Sequence, residues 1–130
     1  MPIVVRANQF VEEVLEVQGP VLVDFFGENC MPCKMLRPIL LDLSREFSGL
    51  KFCMFNADRE MFESDEEFEA KYNIMSLYQV MSLPTLLLFV DGAVRASIIG
   101  LHTRDELLKF FRDQGVRLTE TPRATPVDPL

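Results

Sequence analysis

Val21-Leu22-Val23-Asp24-Phe25-Phe26-Gly27-Glu28-Asn29-Cys30-Met31-Pro32-Cys33-Lys34 decides the fold. Its first six residues form a short continuous apolar run broken by one acid, the pattern of a central strand covered on both faces. Beyond the two cysteines, Met35, Leu36, Ile39, Leu40, Leu43 and Phe47 recur at helical spacing up to Ser48-Gly49, which predicts a long amphipathic helix. Pro38 lies inside it, where its ring and missing N–H predict a kink. A buried strand thus runs directly into a helix, with Cys30 and Cys33 at the junction.

A Cys-x-x-Cys pair is either half of a metal site or a redox motif. A structural zinc site takes four nitrogen or sulfur ligands. Outside the pair only Cys53 and His102 remain as candidates, and neither belongs to a second paired motif. The redox reading has a physical basis in the placement. At a helix start, unpaired N–H groups and the helix dipole favour negative charge and lower a thiol pKa. Lys34 adds a positive charge one turn along. Spacing of this kind puts Cys30 at the rim and turns Cys33 inward, and Pro32 is tolerated because first-turn N–H groups lack helical partners. Asp24 is expensive to ionise inside an apolar strand, so its pKa should rise and it could exchange protons with Cys33.

Outward from this stretch the elements alternate. Residues 3–6 read as a short strand, and Asn8 offers a cap for a helix carrying Phe10, Val11, Val14, Leu15 and Val17 that Gly19-Pro20 stops. Residues 50–55 read as a second buried strand in which Cys53 packs as a small hydrophobe. Residues 59–70 are acidic, and Ser64-Asp65-Glu66-Glu67 has the form of a capping box. The helix after it should present Phe68, Tyr72 and Met75 on one face and run to about Tyr78. Thr85–Val90 and Ala93–Ile99 form a hairpin about Asp91-Gly92, and Thr103 caps a last helix bearing Leu107, Leu108, Phe110 and Phe111. The order β-α-β-α-β-α-β-β-α predicts an α/β fold, with parallel strands from the crossovers and an antiparallel strand from the hairpin.

The chain has 130 residues, the size of one domain. We assign residues 1–118 to it and expect residues 119–130, with Pro122, Pro126 and Pro129, to form a disordered tail. The formal charge of -7 argues against nucleic-acid binding, which depends on neutralising phosphates. No apolar run approaches the roughly 20 residues of a membrane span. No secretory signal is visible at residues 1–6, so the cytoplasm is the expected compartment.

These residues resemble the thioredoxin family. The resemblance rests on residues 21–35 and on Ser82-Leu83-Pro84-Thr85-Leu86-Leu87-Leu88-Phe89, with Gly92 and Gly100 at the positions of the family's later glycines. It covers roughly residues 3 to 112 and implies a central mixed sheet of about five strands with helices on both faces. It further implies that Cys30 attacks, Cys33 resolves and Asp24 moves the proton. Pro84 would be a cis-proline and Leu83 would offer its backbone to a target, beside Asn29, Met31 and Pro32. By the same resemblance the substrates are disulfide-bearing proteins, the electron donor is a thioredoxin-reductase-like flavoprotein drawing on NADPH, and the Cys30–Cys33 disulfide is the only redox group.

Four positions depart from the family pattern. Asn29 and Met31 stand where it has tryptophan and glycine, Phe26 replaces another tryptophan, and Met54 takes the place of a strand lysine near the acid. Residues 59–72 read as an acidic insertion, and with Asn29 and Met31 they suggest a restricted, basic partner. A competing reading is a protein-binding module of the same fold in which the cysteines are secondary; a third is metal binding across a dimer.

Overall fold

The computed structural model describes residues 1–122. The strands are β1 (Ile3–Val4), β2 (Pro20–Phe26), β3 (Phe47–Ser48), β4 (Lys51–Asn56), β5 (Thr85–Val90), β6 (Ala93–Ile99) and β7 (Thr119–Glu120). The α-helices are α1 (Met31–Glu46), α2 (Asp65–Leu77) and α3 (Arg104–Asp113). One sheet has the order β1-β4-β2-β5-β6, with β1, β4 and β2 parallel and β5 and β6 antiparallel to their neighbours. This is the mixed five-stranded sheet expected from the alternation of elements.

Period-two alternation divides the core between the two faces of the sheet. Val21, Val23 and Phe25 of β2 join Cys53, Phe55, Leu87 and Phe89 under Phe10, Val14 and the α2 residues Ile74 and Met75. On the opposite face Leu22 packs with Leu86 and Leu88 against Leu36, Leu40 and Leu43 of α1 and Leu107 and Phe111 of α3. The alternation also fixes the side taken by the acid. Asp24 lies between Leu22 and Phe26, so it faces α1, the helix that carries the cysteines.

Three local expectations change. The first helix is not an α-helix: a 3-10 turn at Ala7–Gln9 leads into a wide π-type turn at Val11–Leu15. The Arg6 N–H donates to Gln9 Oε1 at 2.9 Å, so the segment begins before Asn8, and the Glu16 N–H reaches back to the Val11 carbonyl at 2.8 Å. Phe10 settles this geometry, since it sits 5.8 Å from the rings of Phe55, Tyr78 and Phe89 and anchors the segment to the sheet.

On α2, the Ser64 hydroxyl accepts the Glu67 N–H at 3.1 Å as expected, but the reciprocal half of the capping box is not made. The Glu67 carboxylate instead meets Arg6 across the fold at 3.3 Å. Tyr72 is exposed, and the buried residue of this helix is Lys71. Finally, residues 119–120 of the expected tail pair antiparallel with β3, Phe47 opposite Glu120 and Ser48 opposite Thr119. The remainder of that tail, residues 123–130, lies outside the described residues.

The β5–β6 hairpin turns as its Asp-Gly pair predicts. Asp91 and Gly92 both take positive φ, 51° and 81°, the requirement of a two-residue turn that matches the twist of its strands. At Gly92 a Cβ would stand 2.3 Å from the Leu15 carbonyl oxygen, so the turn also packs against the first helical segment. Gly92→Ala should therefore lower stability by at least about 2 kcal/mol, read from the urea midpoint at unchanged slope.

Candidate active site

β2 ends at Phe26 and the chain passes through Gly27–Asn29 into α1, with Cys30 as its N-cap in extended conformation. The Cys30 sulfur accepts the Cys33 N–H at 3.3 Å, and the Lys34 N–H takes the Cys30 carbonyl at 3.1 Å. The two cysteines form a disulfide with Cα atoms 5.2 Å apart. Cys30 is half-buried and Cys33 is 1% exposed, so one sulfur faces the rim and the other the interior. Met31 and Pro32 occupy the first turn, exposed beside Asn29.

The other half of the site comes from the start of β5. Phe25 pairs with Thr85 across the antiparallel β2–β5 ladder, which sets the residues before Thr85 beside the end of β2. The Leu83–Pro84 peptide bond is cis, Pro84 is buried, and Leu83 packs with Cys30 against a small cluster of Phe26, Cys33 and Met54. Gly27 makes this approach possible: a Cβ on it would lie 3.0 Å from Leu83 Cδ1. Cys30, Cys33, Leu83 and Pro84, separated by some fifty residues of chain, are thus neighbours.

The thioredoxin family model matches residues 1–113 of this chain. The chain belongs to that family.

Among individual thioredoxins, the chain is 38% identical over 103 residues to that of Pseudomonas aeruginosa, covering 78% of this chain and 85% of that protein. It is 40% identical over 108 residues to the thioredoxin of Rickettsia felis, covering 82% and 92%. Thioredoxin C-2 of Corynebacterium nephridii is 38% identical over 109 residues, covering 84% and 91%. As a thioredoxin with its Cys-x-x-Cys pair in place, the protein is a thiol–disulfide oxidoreductase that reduces protein disulfides. Among the described residues, no helix is long and apolar enough to cross a membrane.

Asp24 lies beneath this thioredoxin site, 1% exposed, and neither carboxylate oxygen has a hydrogen-bond partner among the described residues. Burial pushes its pKa up from 3.8 to about 7, against a smaller opposing pull from the Arg37 charge. Met54 is its register partner on β4, so the neighbouring strand contributes no cation at that position. The cation comes from α1 instead. Arg37, one turn after Cys33, holds its guanidinium 4.9 Å from the centroid of Phe26, two residues from Asp24 on the same face of β2. Spacing could have revealed Arg37, because residues four apart share a helix face. Burial raises the Cys53 pKa to about 11, so that thiol stays protonated in the core, as its place in the strand predicted.

Asp24 therefore makes stability fall with pH. Its native pKa lies above its unfolded value, so the native state holds a proton between about 4 and 7 that the unfolded chain has released. The contribution is whole below that window and lost as pH rises through it. Asp24→Asn should make the oxidised protein more stable at pH 8 by on the order of 4 kcal/mol, and leave it nearly unchanged near pH 4, in urea unfolding. Arg37→Gln should move the native titration of Asp24 upward, read by carbon NMR of its carboxyl group.

Proposed function

We propose that Cys30 is the attacking thiol of this thioredoxin, Cys33 the resolving thiol and Asp24 the group that carries the proton. The observation behind the reading is the unequal exposure of the two sulfurs at one helix start. In the dithiol form the Cys33 N–H and the α1 dipole favour the Cys30 thiolate. The thiolate attacks one sulfur of a target disulfide, a new S–S bond forms, and the other target sulfur leaves as a thiolate that takes up a proton. Cys33 then gives its proton to Asp24 and attacks Cys30. The target leaves with both sulfurs reduced, and the Cys30–Cys33 disulfide holds the two electrons' worth of oxidation.

Asp24 suits the second step. It lies between β2 and α1, the side on which Cys33 is buried, and with a pKa of about 7 it both accepts and returns a proton near neutrality. Asn29, Met31, Pro32, Leu83 and Pro84 form the surface on which a disulfide-bearing protein target rests, with the Leu83 backbone meeting an extended segment. Met31, 64% exposed at the first position of α1, gives this rim an apolar edge. The acidic stretch 59–72 favours a basic target. A thioredoxin-reductase-like flavoprotein restores the dithiol with electrons from NADPH, the working domain spans residues 1–118 together with the paired Thr119–Glu120, and the compartment is the cytoplasm.

Cys33→Ser should accumulate targets on Cys30 as mixed disulfides, seen as higher-mass species on non-reducing gels that dithiothreitol releases. Cys30→Ser should form none and lose disulfide reduction altogether. Mixed disulfides on Cys33 in the Cys30→Ser protein, at the level found with Cys33→Ser, contradict the assignment of roles.

A further inference from the structure

The connection between β4 and α2 is wound around one buried ammonium. Lys71 is 4% exposed, and its Nζ donates to the Asp58 carbonyl oxygen at 2.6 Å. The same Nζ lies 2.7 Å from Glu63 Oε2 and 3.5 Å from Glu60 Oε2. Glu63 is itself buried, with its carboxyl held below the usual range: desolvation pulls it up, and the hydrogen bond and charge of Lys71, with hydrogen bonds from Glu60, outweigh that. One cation therefore gathers three acceptors from a single short connection.

The far side of Asp58 faces the cysteines. Its carboxylate accepts the Glu28 N–H at 2.7 Å, two residues before Cys30. Its own N–H is fixed by Asn56 Oδ1 at 3.0 Å, while Asn56 Nδ2 donates to Glu28 Oε1 at 3.2 Å. Gly27 is closed in from both sides, since a Cβ there would be 3.3 Å from Asp58 Oδ2 and 3.0 Å from Leu83 Cδ1. Wherever Asp58 sits, the Gly27–Glu28 backbone must follow, and with it the spacing between Cys30 and Leu83.

We propose that Lys71 is a positioning residue for disulfide reduction: its buried ammonium holds Asp58 against the Gly27–Glu28 backbone and so sets Cys30 relative to Leu83 and Pro84. The inference rests on the reading of Cys30 as the attacking thiol. In-line attack on a target disulfide seated against Leu83–Pro84 is sensitive to that placement, because an error of about 1 Å in a reacting group can cost on the order of a hundredfold in rate. Attack on a small freely diffusing reagent is not constrained in this way.

Lys71→Met alone leaves Glu63 buried without its partner, so the informative variant is Lys71→Met/Glu63→Leu, which replaces the pair by apolar groups. It should melt cooperatively, yet reduce insulin disulfides with kcat/KM lowered tenfold or more. Alkylation of its reduced Cys30 by iodoacetamide should stay within about twofold of the parent. Asp58→Ala, which keeps the buried pair, should show the same selective loss, and combining it with the double variant should lower kcat/KM no further. Unchanged insulin reduction in the double variant or in Asp58→Ala, or losses that multiply when the two are combined, overturn the inference. So does a loss shared equally by alkylation, which marks Lys71 as merely structural. Cys30→Ser separates the two levels: activity surviving it defeats the reading of Cys30, whereas activity lost there but intact in the Lys71 variants defeats only the role of Lys71.

Discussion

β2 is covered on both faces, and the rest of the molecule follows from that burial. With β4 on one edge and β5 on the other, it exposes neither backbone nor side chains, and residues 21–26 are all buried. Full burial of each large apolar side chain contributes about 1.5–3 kcal/mol, enough for its neighbours to offset one awkward residue. Asp24 is that residue. Its carboxyl is forced to face α1 by alternation and to face it without a hydrogen bond, and the outcome is a group that titrates near neutrality rather than near 4. The proton-holding property arises from the strand's own packing and needs no additional acid or base.

Register then explains why the site forms where it does. The parallel β2–β4 pair ends together at Phe26 and Asn56, so the loops leaving both strands start side by side. The antiparallel β2–β5 pair brings the beginning of β5 to the same end, through Phe25 opposite Thr85. Three connections meet there: Gly27–Asn29 leading to the cysteines, Ala57–Ser64 leading to α2, and the Leu83–Pro84 segment. Ligand sites at the carboxyl ends of parallel strands follow the same topological logic. Here a glycine at position 27 leaves room for the Leu83 and Asp58 side chains, whose nearest atoms would stand 3.0 and 3.3 Å from a Cβ.

Most of this architecture was legible in the amino-acid order because its signals are local. The apolar run of β2, the 3.6-residue spacing of α1, the Asp-Gly turn and the Thr103 cap each carry their own physics. Local signals fail where long-range contacts decide the outcome. Arg6 reaches Glu67 and so leaves the α2 capping box half made, and Phe10 dictates a π-type turn where spacing predicts an α-helix. Pairing of Thr119–Glu120 with Phe47–Ser48 is a contact across more than seventy residues, invisible in a segment dominated by its prolines. In the site, the cysteines, Asp24 and Pro84 were legible from motif and position. Lys71 was not, because a lysine in an acidic amphipathic stretch reads as solvated surface; only the fold shows its three acceptors closing around it.

Two cations, Arg37 and Lys71, bear on the site from opposite faces of the sheet. Arg37 acts from α1, on the side where Asp24 is buried, and its charge pulls the Asp24 pKa down against the effect of burial. Lys71 acts from α2 on Asp58, whose carboxylate holds the Glu28 N–H two residues before Cys30. The separation follows from Met54. With no cation on β4 opposite Asp24, the charge that moderates the acid comes from the cysteine-bearing helix itself. In the mechanism proposed above, proton affinity is thereby coupled to α1 and the geometry of attack to the β4–α2 connection. A substitution in one can alter its own step of the reaction and leave the other step as it was.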